Sequence, residues 1–538
     1  MASQSNSVPK TGLPGLSENW RSDLLSGFLV FLIALPLCLG ISAASGFPTM
    51  SGVITAVIGG IVVSRFSGSY VTINGPAAGL IVVILSAVQA LGQTAAMAAI
   101  VIASVFQIMM GVMKAGRLNA YFPSSVVHGM LAAIGIIIMA KQVHIMLGVK
   151  PESKEILGVI AEIPQSIMHM NPEIALIGIV GILILILWTK IKNRHLKMIP
   201  APLVVVCVGI VLARFFDIHN EHAYSLAGFS FFGQQDFSIG PKFLVSVPEN
   251  VSSYFYTPDF SKIGTSAFWG AVISICLVGS LETLLSATAV DKLDPHKRYS
   301  DLNKDLTAVG IGNLIASSIG GLPMIAEIVR SSANVNNGAK TGWANFFHGI
   351  FLAVFVLVFP WLIREIPFAS LAALLVFTGF RLSSPKEFAK TMDLGHEQLI
   401  LFIITIIGVL ATDLLVGVII GIVAKLVIHL AWGVKFSNLI KISYDLNQSE
   451  PNVHLITVHG SAIFSNFIGL KSAVADLPDG KIVIFDVSDA YLIDHTVMEF
   501  IDHFQHDYID RGGKCEVRGL ENLKTHSKHP LATHRFMG

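Results

Sequence analysis

The chain has 538 residues, of which 53% are hydrophobic and only 13% charged, with a formal net charge of +1 and a mean hydropathy of +0.69. Soluble domains carry roughly 25% charged residues, so this mixture lacks the polar surface to cover a water-soluble enzyme. A near-zero charge without a long basic run also argues against nucleic acid as a partner.

Residues 1–20 are polar and lead into no small-residue cleavage site, so the first apolar run reads as a retained span behind a cytoplasmic N-terminal segment. A helix needs about 20 apolar residues to cross a bilayer, and runs of that kind tile residues 21–436 as about 14 segments. They centre near Leu35, Ile58, Val83, Ile102, Ile136, Ile182, Val206, Ile275, Ile311, Ile328, Val354, Leu374, Ile406 and Val423. The fold class is therefore a polytopic α-helical membrane protein embedded in a lipid bilayer. Cys38, Cys207 and Cys276 lie in apolar runs and read as small core residues, not as a disulfide or metal framework.

Loop charge fixes the sidedness. With the N-terminus inside, the inside loops collect Arg65, Lys114, Arg117, Lys190, Lys192, Arg194, Lys197, Lys292, Lys297, Arg298, Lys304, Lys340, Arg381, Lys386, Lys390 and Lys435. The outside loops hold chiefly Lys141, Lys150, Lys154, Arg214, Lys242, Lys262 and Arg364. That bias follows the positive-inside rule and puts both termini in the cytoplasm.

Beyond Pro451 the composition changes. Strand patterns at 454–459, 481–485 and 515–518 alternate with amphipathic helix patterns at 467–474 and 495–508, and Asp510-Arg511-Gly512-Gly513 stops the second helix. Residues 450–538 thus form a cytoplasmic β/α domain.

Two of the spans are short, and each follows a Gly/Pro break: Asn74-Gly75-Pro76-Ala77-Ala78-Gly79 and Gly320-Gly321-Leu322-Pro323-Met324. Placed at the first helical turn, each proline pre-sets φ and gives up an N–H that lacked a partner. Pro76 and Pro323 are 247 positions apart, and Pro36 and Glu282 are 246 apart. The near-equal offsets indicate two seven-span repeats, about 21–215 and 262–436, the second inverted because seven is odd. Inverted repeats with matched broken helices are a secondary-transporter signature. Each half-helix N-terminus exposes free N–H groups and about half a positive charge. Two facing N-termini make an anion site.

Glu282 lies within an apolar run, where an acid is costly and points to function, and Ser286 is one turn on along the same face. The alternative is a carboxylate satisfied by local hydroxyls. Glu327 and Arg330 open the second short helix three residues apart, as site residues or as a structural ion pair. Two helix ends and Arg330 make the site positive, and ionised Glu282 and Glu327 cancel that charge. A proton or cation on one acid restores it. This argues for cation-coupled anion uptake with Glu282 as the coupling group.

Taken together, these motifs resemble the SulP (sulfate permease) family over about residues 20–538. The carrying segments are Ser22-Asp23-Leu24-Leu25-Ser26-Gly27 with Ala34-Leu35-Pro36, both breaks, Gly310-Ile311-Gly312-Asn313, Arg330-Ser331-Ser332-Ala333-Asn334, and Ala411-Thr412-Asp413-Leu414-Leu415-Val416-Gly417. The tail resembles a STAS domain through Ile484-Phe485-Asp486-Val487 and Leu492-Ile493-Asp494-His495-Thr496. The resemblance implies core and gate domains, elevator-type alternating access, a homodimer and a bacterial inner (plasma) membrane. It places the anion among Pro36, Leu37, Ile41, Gly75, Pro76, Ala77, Ala78, Met324, Ile325, Ala326, Glu327, Ile328, Val329 and Arg330. It implies no cofactor beyond a coupling ion. That ion is either sodium at Glu282, Ser286 and Ala326, as in the family's bicarbonate transporters, or a proton on Glu282. Ile328 stands where those transporters carry a hydroxyl, and Leu37 where many members are polar. Thr496 is either a phosphate acceptor or a structural helix-opening residue.

The leading expectation is a secondary active transporter of small inorganic anions, sulfate or bicarbonate in class. The alternative is an anion exchanger or channel-like uniporter for chloride or bicarbonate on the same fold, and Glu282 favours the coupled carrier. A nucleobase permease would need a hydrogen-bonding pocket that Leu37, Ala77, Ala78 and Met324 do not offer. No metal cluster, nucleophile motif or phosphate loop marks an enzyme.

Overall fold

The computed structural model describes residues 8–116, 122–153, 155–191, 193, 199–225, 236–475, 477–525 and 527–536. Of the cations used for sidedness, Arg117, Lys154, Lys192, Arg194 and Lys197 lie outside the described residues.

Each expected span centre falls within a helix, Ile328 at the first residue of a nine-residue one. In chain order they are α1 (Gly12–Ala44), α2 (Thr49–Phe66), α3 (Ala78–Leu91), α4 (Gln93–Val112), α5 (Ser124–Met146), α6 (Pro172–Lys190) and α7 (Ala201–Phe215). The second set is α8 (Ser266–Leu293), α9 (Leu302–Ser318), α10 (Ile328–Asn336), α11 (Trp343–Val358), α12 (Phe368–Leu394), α13 (His396–Ala411) and α14 (Leu414–Ala431). Among the described residues, α1, α2, α4, α5, α6, α8, α12 and α14 are long and apolar enough to cross a membrane by length and composition. Helix α1 starts at Gly12, inside the segment expected to precede the first span, and runs through Pro36 without a break.

The chain forms two compact units. The first, residues 1–116 and 134–381 where described, holds α1 to α4, α6 to α11 and parts of α5 and α12. Its packing obeys the repeat. Helix α1 packs on α10 and α8 on α3, while α2 packs on α11 and α9 on α4. Each contact maps onto its partner when the helices seven apart are exchanged. Lipid supplies no hydrophobic drive between helices, so close packing of small residues must do so. Ala95, Ala96, Ala98 and Ala99 of α4 are all buried, and a Cβ at Gly310 of α9 would overlap Ile108 and crowd the backbone of α4. At the α2–α11 crossing, Gly60 lies so close to Gly349 that neither has room for a side chain.

Two three-residue strands, β1 (Asn74–Pro76) and β4 (Met324–Ala326), pair antiparallel inside this unit. Between them in sequence, β2 (His222–Ser225) and β3 (Asp236–Ile239) form a separate hairpin. The ladder corrects the register of the two breaks. The half-helices begin at Ala78 and Ile328, 250 positions apart, whereas the prolines are 247 apart. Pro76 lies within its strand and Pro323 just before the other, so neither occupies a first helical turn. Their missing N–H and fixed φ serve the extended segment instead.

The second unit, residues 117–133 and 382–538 where described, contains the start of α5, the end of α12, α13, α14 and the tail. Helices α13 and α14 pack as a pair, with Gly408 against Gly417. The tail sheet has strands β5 (Ser443–Glu450), β6 (Val453–Ala462), β7 (Ile482–Asp486), β8 (Ala490–Ile493), β9 (Lys514–Arg518), β10 (Lys524–Thr525) and β11 (His534–Arg535). Their order is β10-β11-β8-β6-β7-β9, with β5 hairpinned onto β6. Strand β5 lies ahead of the expected start at 450, because its polar Ser443–Glu450 sequence carries no apolar alternation. Helices α15 (Ile468–Ala475) and α16 (His495–Asp510) contribute Leu470, Val474, Val497, Ile501 and Phe504 to a core with Ile456, Val483 and Phe485. This curled β/α arrangement fits a STAS domain. Asp494 caps α16 by accepting from the Val497 N–H, while the Thr496 hydroxyl is buried without a partner.

Burial pushes the Cys515 thiol up to about 12, with the Glu516 charge adding to it. Only the thiolate is alkylated. Iodoacetamide at mildly alkaline pH should therefore leave Cys515 unlabelled in the folded protein and label it once the tail unfolds, as read by peptide mapping. Rapid labelling of the native protein would contradict this burial.

Candidate functional site

The site is built around the β1–β4 ladder, whose register is Asn74 with Ala326, Gly75 with Ile325 and Pro76 with Met324. Because the strands are antiparallel, α3 and α10 leave the ladder in opposite directions. Broken backbone within a membrane bundle must find partners in the surrounding protein. Thr55 of α2 both donates to the Leu322 carbonyl at 2.9 Å and accepts from its N–H at 2.7 Å. Asn313 of α9 accepts from the Met324 N–H and donates to its carbonyl at 3.1 Å, and also donates to Gln107 at 2.8 Å. The Ile73 N–H donates to Ser331 at 2.8 Å, and Asn345 of α11 donates to the Asn74 side chain at 2.9 Å. Of these scaffold residues, Asn313 and Ser331 fall within the family-like motifs. Thr55, Gln107 and Asn345 carry no local sequence signal.

Arg330 is fully buried. Its Nη1 donates to Cys38 Sγ and its Nη2 to the Pro76 carbonyl, each at 3.4 Å, and its Nε has no partner. The guanidinium therefore reaches back from α10 across the ladder to α1. A Cβ at Gly75 would overlap Arg330 Nη1, so the guanidinium lies against this backbone and would have to shift if a side chain were added. The hydrogen-bond partners of Arg330 are thus not those of a local pair with Glu327.

Glu282 of α8 is 6% exposed, and its Oε1 has no hydrogen-bond partner. The carboxyl rests against Gly79, where a Cβ would overlap it, so it sits at the first turn of α3. The neighbouring hydroxyls do not satisfy it: Thr283 donates to the Gly279 carbonyl at 2.8 Å, and Ser280 Oγ has no partner. Ser286, one turn on, is half-buried. An orphaned buried carboxylate oxygen suits a proton or a small cation equally well. Ala326 can add only its backbone oxygen, and Ile328 adds none from its side chain.

Glu327 is the N-cap of α10 with an extended backbone, and its N–H donates to the Ile73 carbonyl at 2.8 Å. Its half-buried carboxylate lies within electrostatic reach of the Ala78 N–H, of Arg330 and of Glu282. Gly75, Pro76, Ala77, Met324, Ile325 and Ala326 are buried in and beside the ladder, whereas Ile328 and Val329 are 42% and 36% exposed. On α1, Pro36 and Ile41 are buried, and Leu37 packs against an apolar cluster containing Phe31, Leu39 and Leu352. His348 of α11 is fully buried near Arg330 with neither ring nitrogen bonded, a residue that the sequence does not single out.

The chain matches the sulfate permease family over residues 20–406. It is 24% identical over 554 residues to the bicarbonate transporter BicA of Picosynechococcus, covering 95% of this chain and 92% of that protein. Its fold is similar to the transmembrane domain of a cyanobacterial BicA, with a TM-score of 0.61 and 21% identity, covering 76% of this chain and 97% of that one. It is also similar to the overall structure of SLC26A9, with a TM-score of 0.65 and 15% identity, covering 93% of this chain and 84% of that one. The chain belongs to the sulfate permease family, a family of transporters and not of enzymes.

Proposed function

We propose that this protein is a secondary active transporter of small inorganic anions, sulfate or bicarbonate in class, coupled to protons or sodium. The observation that carries this reading is the juxtaposition of two half-helix N-termini, the buried guanidinium of Arg330 and the buried carboxyl of Glu282, whose Oε1 has no partner, at one ladder. The helix ends and Arg330 attract an anion. Glu282 opposes it until a proton or sodium ion, held with Ser286 and the Ala326 carbonyl, neutralises the acid. Binding the cation therefore creates the anion site, which is the thermodynamic requirement for coupling.

Residues 21–436 act as the transporter domain, with α1 extending it back to Gly12, and residues 450–538 together with β5 act as the STAS domain. Movement of the ladder and its half-helices against a gate would carry the anion by an elevator route. A homodimer in the bacterial inner membrane, with both termini cytoplasmic, supplies the frame. The test is uptake of labelled sulfate and labelled bicarbonate into proteoliposomes under separately imposed proton and sodium gradients. Accumulation driven by one gradient supports the reading and identifies the ion. Purely downhill flux, insensitive to both, overturns coupling in favour of exchange or uniport.

A further inference from the structure

Helix α14 buries one face and leaves the other open. Gly417, Gly421, Lys425 and His429 are buried, whereas Val416, Ile419, Val423, Val427 and Leu430 are 40–56% exposed. In a membrane span, an open apolar face belongs to lipid. The 18 residues of α14 rise about 27 Å, close to the roughly 30 Å of a hydrocarbon core. The chain that follows Ala431 therefore emerges at the headgroup layer, beginning with Trp432, a residue type enriched at that level.

There the chain turns. Gly433 has a φ of +91°, and the Val434 N–H donates to the His429 carbonyl at 3.1 Å, closing the helix. A single 3₁₀ turn, Phe436–Leu439, leads on to β5. The inner face of this linker is fixed to the tail. Val434 packs with Ile463 and Leu492, with Leu439 against them. The Leu439 carbonyl accepts from Ser465 and the Trp432 carbonyl from Tyr491, each at 2.7 Å. The outer face is bare. Phe436 and Ile440 are 72% and 77% exposed. They are four residues apart, and the Lys441 N–H closes the turn on the Ser437 carbonyl at 3.2 Å, so they share one side. Lys435 and Lys441 flank them, both exposed, and residues 432–441 include no acid. Single exposed apolar residues are ordinary on a protein surface. Here a Phe and an Ile are held outward together by the packing behind them, between two cations and next to the open face of a span.

We propose that this outer face docks on the anionic headgroup surface of the membrane that α14 crosses. Phe436 and Ile440 enter the headgroup–acyl boundary, about 5–10 Å deep, and Lys435 and Lys441 reach lipid phosphates. The surface is continuous with the lipid against α14, and the two lysines select an anionic membrane over a neutral one. The contact sets the angle of the tail to the bilayer, because the same turn is bonded to Ser465 and Tyr491 behind it. The inference goes beyond the transport reading and does not depend on which anion is carried.

The test places a bimane label on Phe436→Cys or Ile440→Cys in the full-length protein. A Cys207→Ser background removes the exposed native thiol. The protein is reconstituted in nanodiscs whose phosphatidylcholine carries a nitroxide near the top of the acyl chain, with or without phosphatidylglycerol. His506→Cys, an exposed position on α16, is the reference. Both test positions are exposed, so neither substitution removes a packed side chain. With phosphatidylglycerol present, quenching at both is expected to exceed the reference severalfold. Lys435→Gln and Lys441→Gln should each lower the docked-to-undocked ratio about fivefold, and omitting phosphatidylglycerol should lower it likewise. Quenching no greater than at the reference overturns the proposal. Cross-linking of copies through Phe436→Cys by a short bis-maleimide would then show that a second copy covers the face. Free labelling by a charged, water-soluble maleimide would instead show that it is solvated. Strong quenching that ignores both lysines and phosphatidylglycerol overturns the anionic surface as the partner.

Discussion

Glu282→Gln is expected to abolish gradient-driven accumulation while leaving downhill anion flux and folding in place. Glutamine has nearly the same shape, so it fills the space against Gly79 that the carboxyl fills. Its amide cannot take up a proton and is a poor ligand for a cation. A gradient of about one pH unit supplies roughly 1.4 kcal/mol, which one coupled proton converts into about tenfold accumulation. The variant should equilibrate and stop, giving a ratio near one however steep the gradient. Burying a neutral amide also costs less than burying a charge. The thermal midpoint in detergent should therefore hold or rise, separating lost coupling from lost folding. The measurement is paired: tracer accumulation under a gradient, and tracer exchange at equilibrium. Accumulation that survives in Glu282→Gln would return this acid to a structural role and move coupling elsewhere, with Glu327 the next group to examine.

The apolar runs made the helices legible, because a bilayer imposes length and hydropathy on each crossing. The Gly/Pro breaks made the two half-helices legible for the same reason, since irregular backbone at that depth needs a purpose. Their register was not legible. Three-residue strands such as Asn74–Pro76 carry no alternation to read, and proline suits an extended segment as well as a first helical turn. Glu282 and Arg330 stood out as charges in apolar surroundings. Thr55 and Asn345 did not, because a single hydroxyl or amide on a helix says nothing about a partner hundreds of positions away. In the tail, the apolar strands and the amphipathic α16 were visible, whereas the polar edge strand Ser443–Glu450 was not. Lys425 was missed for a related reason. It reads as one cation near the end of an apolar helix, and its counter-charge lies far along the chain.

Asp494→Ala is expected to be the most destabilising single substitution in the second unit. Asp494 is fully buried and accepts from the N–H groups of Val497 and Phe464, each at 2.9 Å. Its Oδ2 lies 3.6 Å from Nζ of Lys425 and 3.9 Å from Nε2 of His429, both on α14. Lys425 is 2% exposed, and its Nζ makes no hydrogen bond, although the Phe464 ring lies 5.8 Å away. Removing the carboxylate strands that ammonium in an apolar setting, a cost of about 3–5 kcal/mol. Loss of the α16 cap adds about 1 kcal/mol. Asp494→Asn keeps an acceptor at the cap and should lose less than Asp494→Ala. Lys425→Met removes the other charge and should also destabilise. The Lys425→Met/Asp494→Asn double variant should recover part of the loss, because neither side then holds an uncompensated charge. Thermal unfolding of the full chain in detergent, followed by alkylation of Cys515 as the tail opens, measures all four. Strictly additive losses would mean that Asp494 acts only as a helix cap. A positive coupling would mean that the buried pair fixes α14 to the start of α16, at a junction where charge costs more to bury than a purely apolar contact would.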